Sequence, residues 1–249
     1  MKFKGVWVPE NRYKKYREYV KNAKLENFKT HPDYIGVVGN DARDKETTLI
    51  FYEYLISHVK GIKLKRFFKN DNIGSPIIHE VSKGLFVSCG TLRYLVVLYD
   101  ISRLFLNDFS NIVEIGAGYG GQCNIILEYD NTINYTCIDI PEATGLIKKY
   151  LDYFNREVTV ESCDNITIRN YDLVISDYCL GEMDKEGVDF YFDKVIKYCN
   201  YAYFTLNSNS PVFDYIFKKL YNLFSFVRIT PELPATSKVH KNKVLIAKK

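Results

Sequence analysis

The stretch Ile112-Val113-Glu114-Ile115-Gly116-Ala117-Gly118-Tyr119-Gly120-Gly121 reads as a short apolar strand and a turn with four glycines in six positions. An apolar run from Ile125 then predicts a helix. Glycine lets the backbone turn sharply and lets a ligand approach closely, because no Cβ intervenes. A strand, turn and helix of this kind serve a nucleotide-like cofactor at the end of a parallel strand. The spacing Gly116, Gly118, Gly121 also fits dinucleotides, so the glycines alone do not choose the ligand. Glu114 does. A carboxylate two residues before the first glycine repels a pyrophosphate and suits the cationic methionine moiety of S-adenosylmethionine. Methyl transfer is therefore expected ahead of nicotinamide or flavin chemistry.

Downstream, strands and helices alternate, which predicts a parallel sheet. The expected strands are Ile112–Ile115, Tyr135–Ile140, Val158–Cys163, Asp172–Ser176, Tyr201–Leu206, Phe226–Thr230 and Val244–Ala247. Seven strands ending in a hairpin-like pair describe an α/β, Rossmann-like class I methyltransferase sheet, mostly parallel with helices on both faces, better than a six-stranded dinucleotide fold. Residues 1–108 lack strand alternation and read as a helical region preceding the cofactor-binding domain, 109–249. Within the helical region, Asp44 is the expected cap of a helix over 45–60 with Leu49, Tyr52, Ile56 and Val59 on one face. Thr91 is the expected cap of a second helix, and Asn72-Ile73-Gly74-Ser75-Pro76 is a turn.

At 249 residues and 47% hydrophobic, the chain can bury one substantial core. No apolar run approaches the ~20 residues needed to span a bilayer, and no signal core follows the N-terminal lysines, so a soluble cytoplasmic protein is expected. The six cysteines form no CxxC pair and read as core residues. A net charge of +4, with basic residues in 12–29 and 238–249, fits a solvated surface better than a nucleic-acid groove. The 21 tyrosines fit compositional bias better than carbohydrate stacking, although single rings could stack on a sugar.

Asp139 ends the second strand 23 residues after Gly116, near the interval at which a carboxylate accepts from a ribose diol; a helix N-cap is the competing role. Asp164-Asn165-Ile166, after the third strand, could line the adenine or simply turn the chain. The expected cofactor set is Glu114, Gly116, Ala117, Gly118, Tyr119, Asp139, Ile140, Asp164, Asn165 and Ser176.

The glycine stretch, Cys137-Ile138-Asp139-Ile140-Pro141-Glu142, and Asp172-Leu173-Val174-Ile175-Ser176-Asp177-Tyr178 with Gly181-Glu182-Met183 together resemble the bacterial sugar O-methyltransferases over roughly residues 72–208. Gly74-Ser75-Pro76 and Leu92-Arg93-Tyr94 resemble upstream elements of that family. The resemblance implies S-adenosylmethionine-dependent methylation of a sugar or nucleotide-sugar acceptor for capsule or lipopolysaccharide, with S-adenosylhomocysteine as product. It carries Glu114, Gly116, Gly118 and Asp139 over as cofactor residues. Ser176-Asp177-Tyr178 departs from the family's commoner Ser-Asn-Tyr, and Gly181-Glu182-Met183 from Ser-Glu-Leu, which leaves acceptor and base open.

A sugar hydroxyl is a poor nucleophile at neutral pH, so a general base is expected. Asp177, Glu182 and Tyr178, after the fourth strand, are candidates, with His79 a further one. Acids also suit the start of a helix, as in Asp184-Lys185-Glu186, and isolated histidines are more often structural. Arg93 and Tyr178 are candidate acceptor contacts; for Arg93 the alternatives are a phosphate ligand and a helix-surface ion pair. No metal constellation is expected, and Asp177 with Glu182 is the place to look for one. Rival acceptors are a phosphate or phosphoramidate group of a capsule, or a small metabolite. Nucleic-acid amine methylation lacks its Asn/Asp-Pro-Pro-Tyr signature, and a non-catalytic partner subunit is a further alternative. The helical region is read as a lid, an acceptor-binding element or a homodimer surface.

Overall fold

Ahead of the glycine turn the chain forms α1 (Glu10–Val20), a short α2 (Pro32–Ile35), α3 (Lys45–His58), a hairpin of β1 (Ile78–Ser82) and β2 (Leu85–Ser88), and α4 (Cys89–Phe105). The computed structural model describes residues 10–39, 43–59, 63–105, 109–236 and 241–249. From β3 (Asn111–Ile115) onward the order is α5 (Gly121–Tyr129), β4 (Asn134–Asp139), α6 (Pro141–Tyr153), β5 (Thr159–Ser162), β6 (Tyr171–Asp177), α7 (Lys185–Lys194), β7 (Cys199–Leu206), α8 (Phe213–Leu223), β8 (Phe226–Pro231) and β9 (Lys243–Lys248). β3 to β9 make one sheet in the order β5-β4-β3-β6-β7-β9-β8. β5, β4, β3, β6 and β7 run parallel, and β9 lies antiparallel to both β7 and β8.

The period-two alternation of strand side chains divides the core. Ile112, Leu173, Ile175 and Tyr203 pack with α4, α5 and the N-terminal helices on one face. Val113, Ile115, Val174 and Phe204 pack with α7 and α8 on the other. β3 is thus covered on both sides, as its unbroken apolar run implies. Glu114 belongs to the first face and is 3% exposed, which makes it a buried acid in the centre of the sheet.

All seven expected strands of the sheet form, but the region before residue 109 is not wholly helical. β1 and β2 pair antiparallel around Gly84 at φ +70. β1 has no fully buried position, so it carries no apolar alternation to betray it. Asp44 caps α3 as expected, accepting from Thr47 N–H at 2.8 Å. The buried stripe of α3 is Thr48, Phe51 and Leu55, however, and Ile56 is 53% exposed. The cap of α4 is Ser88, whose Oγ accepts from Thr91 N–H, whereas Thr91 is itself buried and donates to Asp71. The first ten residues of α4 are all buried, because α3, α5 and the sheet enclose it. N-terminal elements share their core with the sheet. α1 also docks on α6 through a two-nitrogen contact from Arg17 to Glu142 Oε1, at 3.0 Å from Nε and 2.5 Å from Nη2.

Candidate active site

The chain leaves β3 in a left-handed turn, with φ +78 at Gly116 and +64 at Gly118. Gly116 must be glycine twice over. L-residues resist that φ, and a Cβ there would stand 2.5 Å from Cys179 Sγ. Gly116→Ala is expected to cost roughly 2–4 kcal/mol from left-handed strain plus overpacking, read as a lowered denaturant midpoint. A loss below about 0.5 kcal/mol would mean the turn relaxes freely. Asp139, at the end of β4, accepts from Gly118 N–H through Oδ2 and from Ile140 N–H through Oδ1, both at 2.7 Å. It thereby ties the turn to the neighbouring strand.

Over this turn opens a cavity of about 370 Å³, within the size range of small-molecule sites. Its wall includes Glu114, Gly116, Ala117 and Gly118 from β3 and the turn, Asp139 from β4, and Asp177, Tyr178 and Glu182 from the end of β6 and beyond. Arg93 and Tyr94 come from α4, Tyr13 and Tyr16 from α1, Val37, Val38 and Arg43 from the segment between α2 and α3, and Asn242 from just before β9. The N-terminal region therefore roofs the cavity that the sheet opens.

Burial shapes the electrostatics. It pushes Glu182 up to about 7, and no hydrogen bond or ion pair touches this carboxyl among the described residues. It pushes Asp139 up to about 6 against the pull of its two backbone donors. Burial, with neighbouring Asp177, also drives Glu114 well above the usual range, although Tyr135 donates to it at 2.9 Å. Each of these groups ionises more readily if a cation enters.

Behind the cavity, Arg93 Nη2 lies 3.1 Å from Asp177 Oδ1 and Nε lies 3.9 Å from Glu232 Oε1. Burial works against the guanidinium charge, but Asp177, Tyr178 and Glu232 outweigh it and raise the pKa. Thr205 also donates to Asp177 Oδ1. Tyr178 is a non-glycine residue at φ +66, held there as its hydroxyl meets Glu232, Thr236 and Asn242. Strain of this sort persists where the surroundings over-determine it.

Of the residues singled out in the sequence, Arg93, Glu114, Gly116, Ala117, Gly118, Asp139, Asp177, Tyr178 and Glu182 come together around the cavity. Others stand apart. The Tyr119 ring is fully buried among Phe28, Tyr34, Tyr94 and Tyr150, so it supports the turn from below. Ile140 packs into the core. Asp164 and Asn165 are exposed after β5, and Ser176 is buried with its Oγ accepting from Leu180 N–H. His79 sits on β1 with Nε2 against the Arg43 carbonyl oxygen, outside the cavity wall. Arg93 is not a surface residue but a buried one, 3% exposed. His31 caps α2, His58 stacks on Tyr54, and His240 lies outside the described residues. Sequence reasoning missed Tyr13, Tyr16, Arg43, Thr236 and Asn242, which reach the cavity from distant segments. Among the described residues no three metal-ligating side chains cluster, and no helix is long and apolar enough to cross a membrane.

The strand order, the antiparallel β9 and the glycine turn between β3 and α5 define the Rossmann-like fold of the class I methyltransferases. Among solved structures, the chain is similar to the methyltransferase domain of bacterial CtHen1 in two forms. The CN form gives a TM-score of 0.51 at 10% identity over 63% of this chain and 97% of that one. The C form gives 0.52 at 9% identity over 63% and 96%. No family model matches the sequence, and no curated protein matches it.

Proposed function

We propose that this protein is an S-adenosylmethionine-dependent methyltransferase whose acceptor is a sugar hydroxyl of a surface-glycan precursor. One observation carries the cofactor half. Glu114, Asp139 and Glu182 surround the mouth of the glycine turn, and none forms an ion pair among the described residues. Arg93, by contrast, is already matched by Asp177. Such a wall attracts a cation and repels a pyrophosphate. The bound cofactor supplies a methyl group on a positively charged sulfur. Asp139 keeps lone pairs for a ribose diol beyond those used by Gly118 and Ile140, and Gly116 leaves room for close approach. Glu182 is the base: its oxygens are uncommitted and its pKa of about 7 suits proton transfer near neutrality. Asp177, engaged by Arg93 and Thr205, holds position instead. Tyr13, Tyr16 and Tyr178 add aromatic side chains to the cavity wall.

Calorimetric titration with S-adenosylhomocysteine, with NAD in parallel, tests this reading. Micromolar binding of the former alone is expected. Asp139→Ala should weaken it by about 1.5–3 kcal/mol, the worth of a hydrogen bond to a charged group. NAD binding alone, or unchanged affinity in folded Asp139→Ala, counts against the assignment. Turnover of labelled methyl donor over nucleotide sugars then tests the acceptor. A phosphorylated or phosphoramidate acceptor is the second reading, favoured by Arg43, an exposed guanidinium on the cavity wall with no ion pair among the described residues.

A further inference from the structure

Three polar atoms on one side of the cavity, Arg93 Nε, Asp177 Oδ2 and Asn242 Oδ1, are shielded from water and have no hydrogen-bond partner, and Arg93 Nη2 has only its 3.1 Å ion-pair contact with Asp177 Oδ1. Arg93 is 3% exposed, Asn242 4%, and the Asp177 side chain 8%, and all three residues line the cavity. Leaving a buried polar atom unmet forfeits its hydration without return, so native sites with several such atoms call for a partner. The Asn242 amide is oriented by its neighbours, since Nδ2 donates to Glu232 Oε2 and Thr236 Oγ1 at 3.0 Å each. Its carbonyl oxygen is therefore the free end. The unmet set comprises a donor on the guanidinium and acceptors on a carboxylate and an amide.

Charge narrows the partner further. The single positive charge of Arg93 faces two carboxylates, Asp177 and Glu232, so this wall is already more than neutralised and opposes a phosphate. A hydroxyl both donates and accepts. Two adjacent hydroxyls fit the set: one accepts from Arg93 while donating to Asp177, and the second donates to Asn242. Contact with a ligand requires the Asp177 or Asn242 side chain to rotate, because both free oxygens are buried. We infer that Arg93, Asp177 and Asn242 form a subsite that reads a vicinal diol of the acceptor, taking its uncharged end into the depth and leaving any anionic end to Arg43. The inference rests on reading the cavity as a methyl-transfer site.

The test uses the full chain, with and without S-adenosylhomocysteine. Methyl α-D-glucopyranoside, methyl β-D-galactopyranoside, methyl α-D-mannopyranoside, their monodeoxy analogues and inorganic phosphate are measured by saturation-transfer NMR and calorimetry. At least one glycoside is expected to bind, to lose about tenfold or more when either hydroxyl of one vicinal pair is removed, and to resist displacement by phosphate. Asn242→Leu should reproduce that loss. The deoxy series needs no variant, so a misfolded Asn242→Leu leaves the test intact. Equal binding of all monodeoxy analogues, or displacement by phosphate, overturns the subsite. S-adenosylhomocysteine binding without any glycoside binding also removes the subsite and keeps the methyl-transfer reading. Glycoside binding without S-adenosylhomocysteine binding does the reverse, and binding of neither removes both.

Discussion

Glu182→Gln is expected to lower the methyl-transfer rate about 10²–10⁴-fold, the usual worth of a positioned general base. The amide keeps the shape and cannot take a proton. The pH profile gives the sharper readout. A base must be ionised, so wild-type kcat/KM should rise with pH through about 7 and then level off, following the Glu182 carboxyl held up by burial. The variant should lose that rise. Folding shows the opposite sign. A carboxyl with a raised pKa holds its proton more tightly in the folded state than in the unfolded chain. Its contribution to stability is complete below about pH 4.5 and is lost as pH climbs to about 7. Glu182→Gln should therefore flatten the pH dependence of the denaturant midpoint across that window. A variant that keeps both full rate and the same pH profile would transfer the base role elsewhere, with Asp177 next in line.

Arg93→Met should destabilise the fold by about 3–5 kcal/mol, because it leaves Asp177 and Glu232 buried without their counter-charge. Chemical denaturation measures this directly. Adding Asp177→Asn and Glu232→Gln to the same chain should recover much of the loss, since the penalty lies in the stranded charges rather than in the missing guanidinium. A single variant that loses less than 1 kcal/mol would show that water or side-chain rotation solvates the carboxylates, and that the wall is looser than its burial implies.

The site was legible in the sequence where its residues follow one another along a strand end. Glu114 and Gly116 to Gly118 sit at the tip of β3, and Asp139 at the tip of β4. Parallel strands bring such tips to one edge, so apolar runs and intervals suffice to find them. Asp177, Tyr178 and Glu182 follow β6 for the same reason. Tyr119 carried the right address and the wrong direction. The turn points its ring into the aromatic cluster below, and only the surrounding Phe28, Tyr34 and Tyr150 determine that. Asp164 and Asn165 follow β5, two strands from β3, on an exposed loop.

Residues that reach the cavity across the fold had no local signal. Tyr13 and Tyr16 look like any aromatic pair on a polar helix. They roof the site because Arg17, on the same helix, clasps Glu142 at the start of α6. Asn242 follows β8 in an unremarkable polar stretch, and β9 returns antiparallel between β7 and β8 so that this stretch meets Tyr178.

By itself, the sequence determined the sheet, the glycine turn and the acidic character of the edge beside it, because periodicity and backbone conformation act over a few residues. Only the tertiary structure decided which carboxyl stands uncommitted, that Arg93 is matched from inside, and what roofs the cavity. Burial and charge pairing depend on segments far apart in the chain, and a pKa is a property of that assembled surrounding rather than of the residue that carries it.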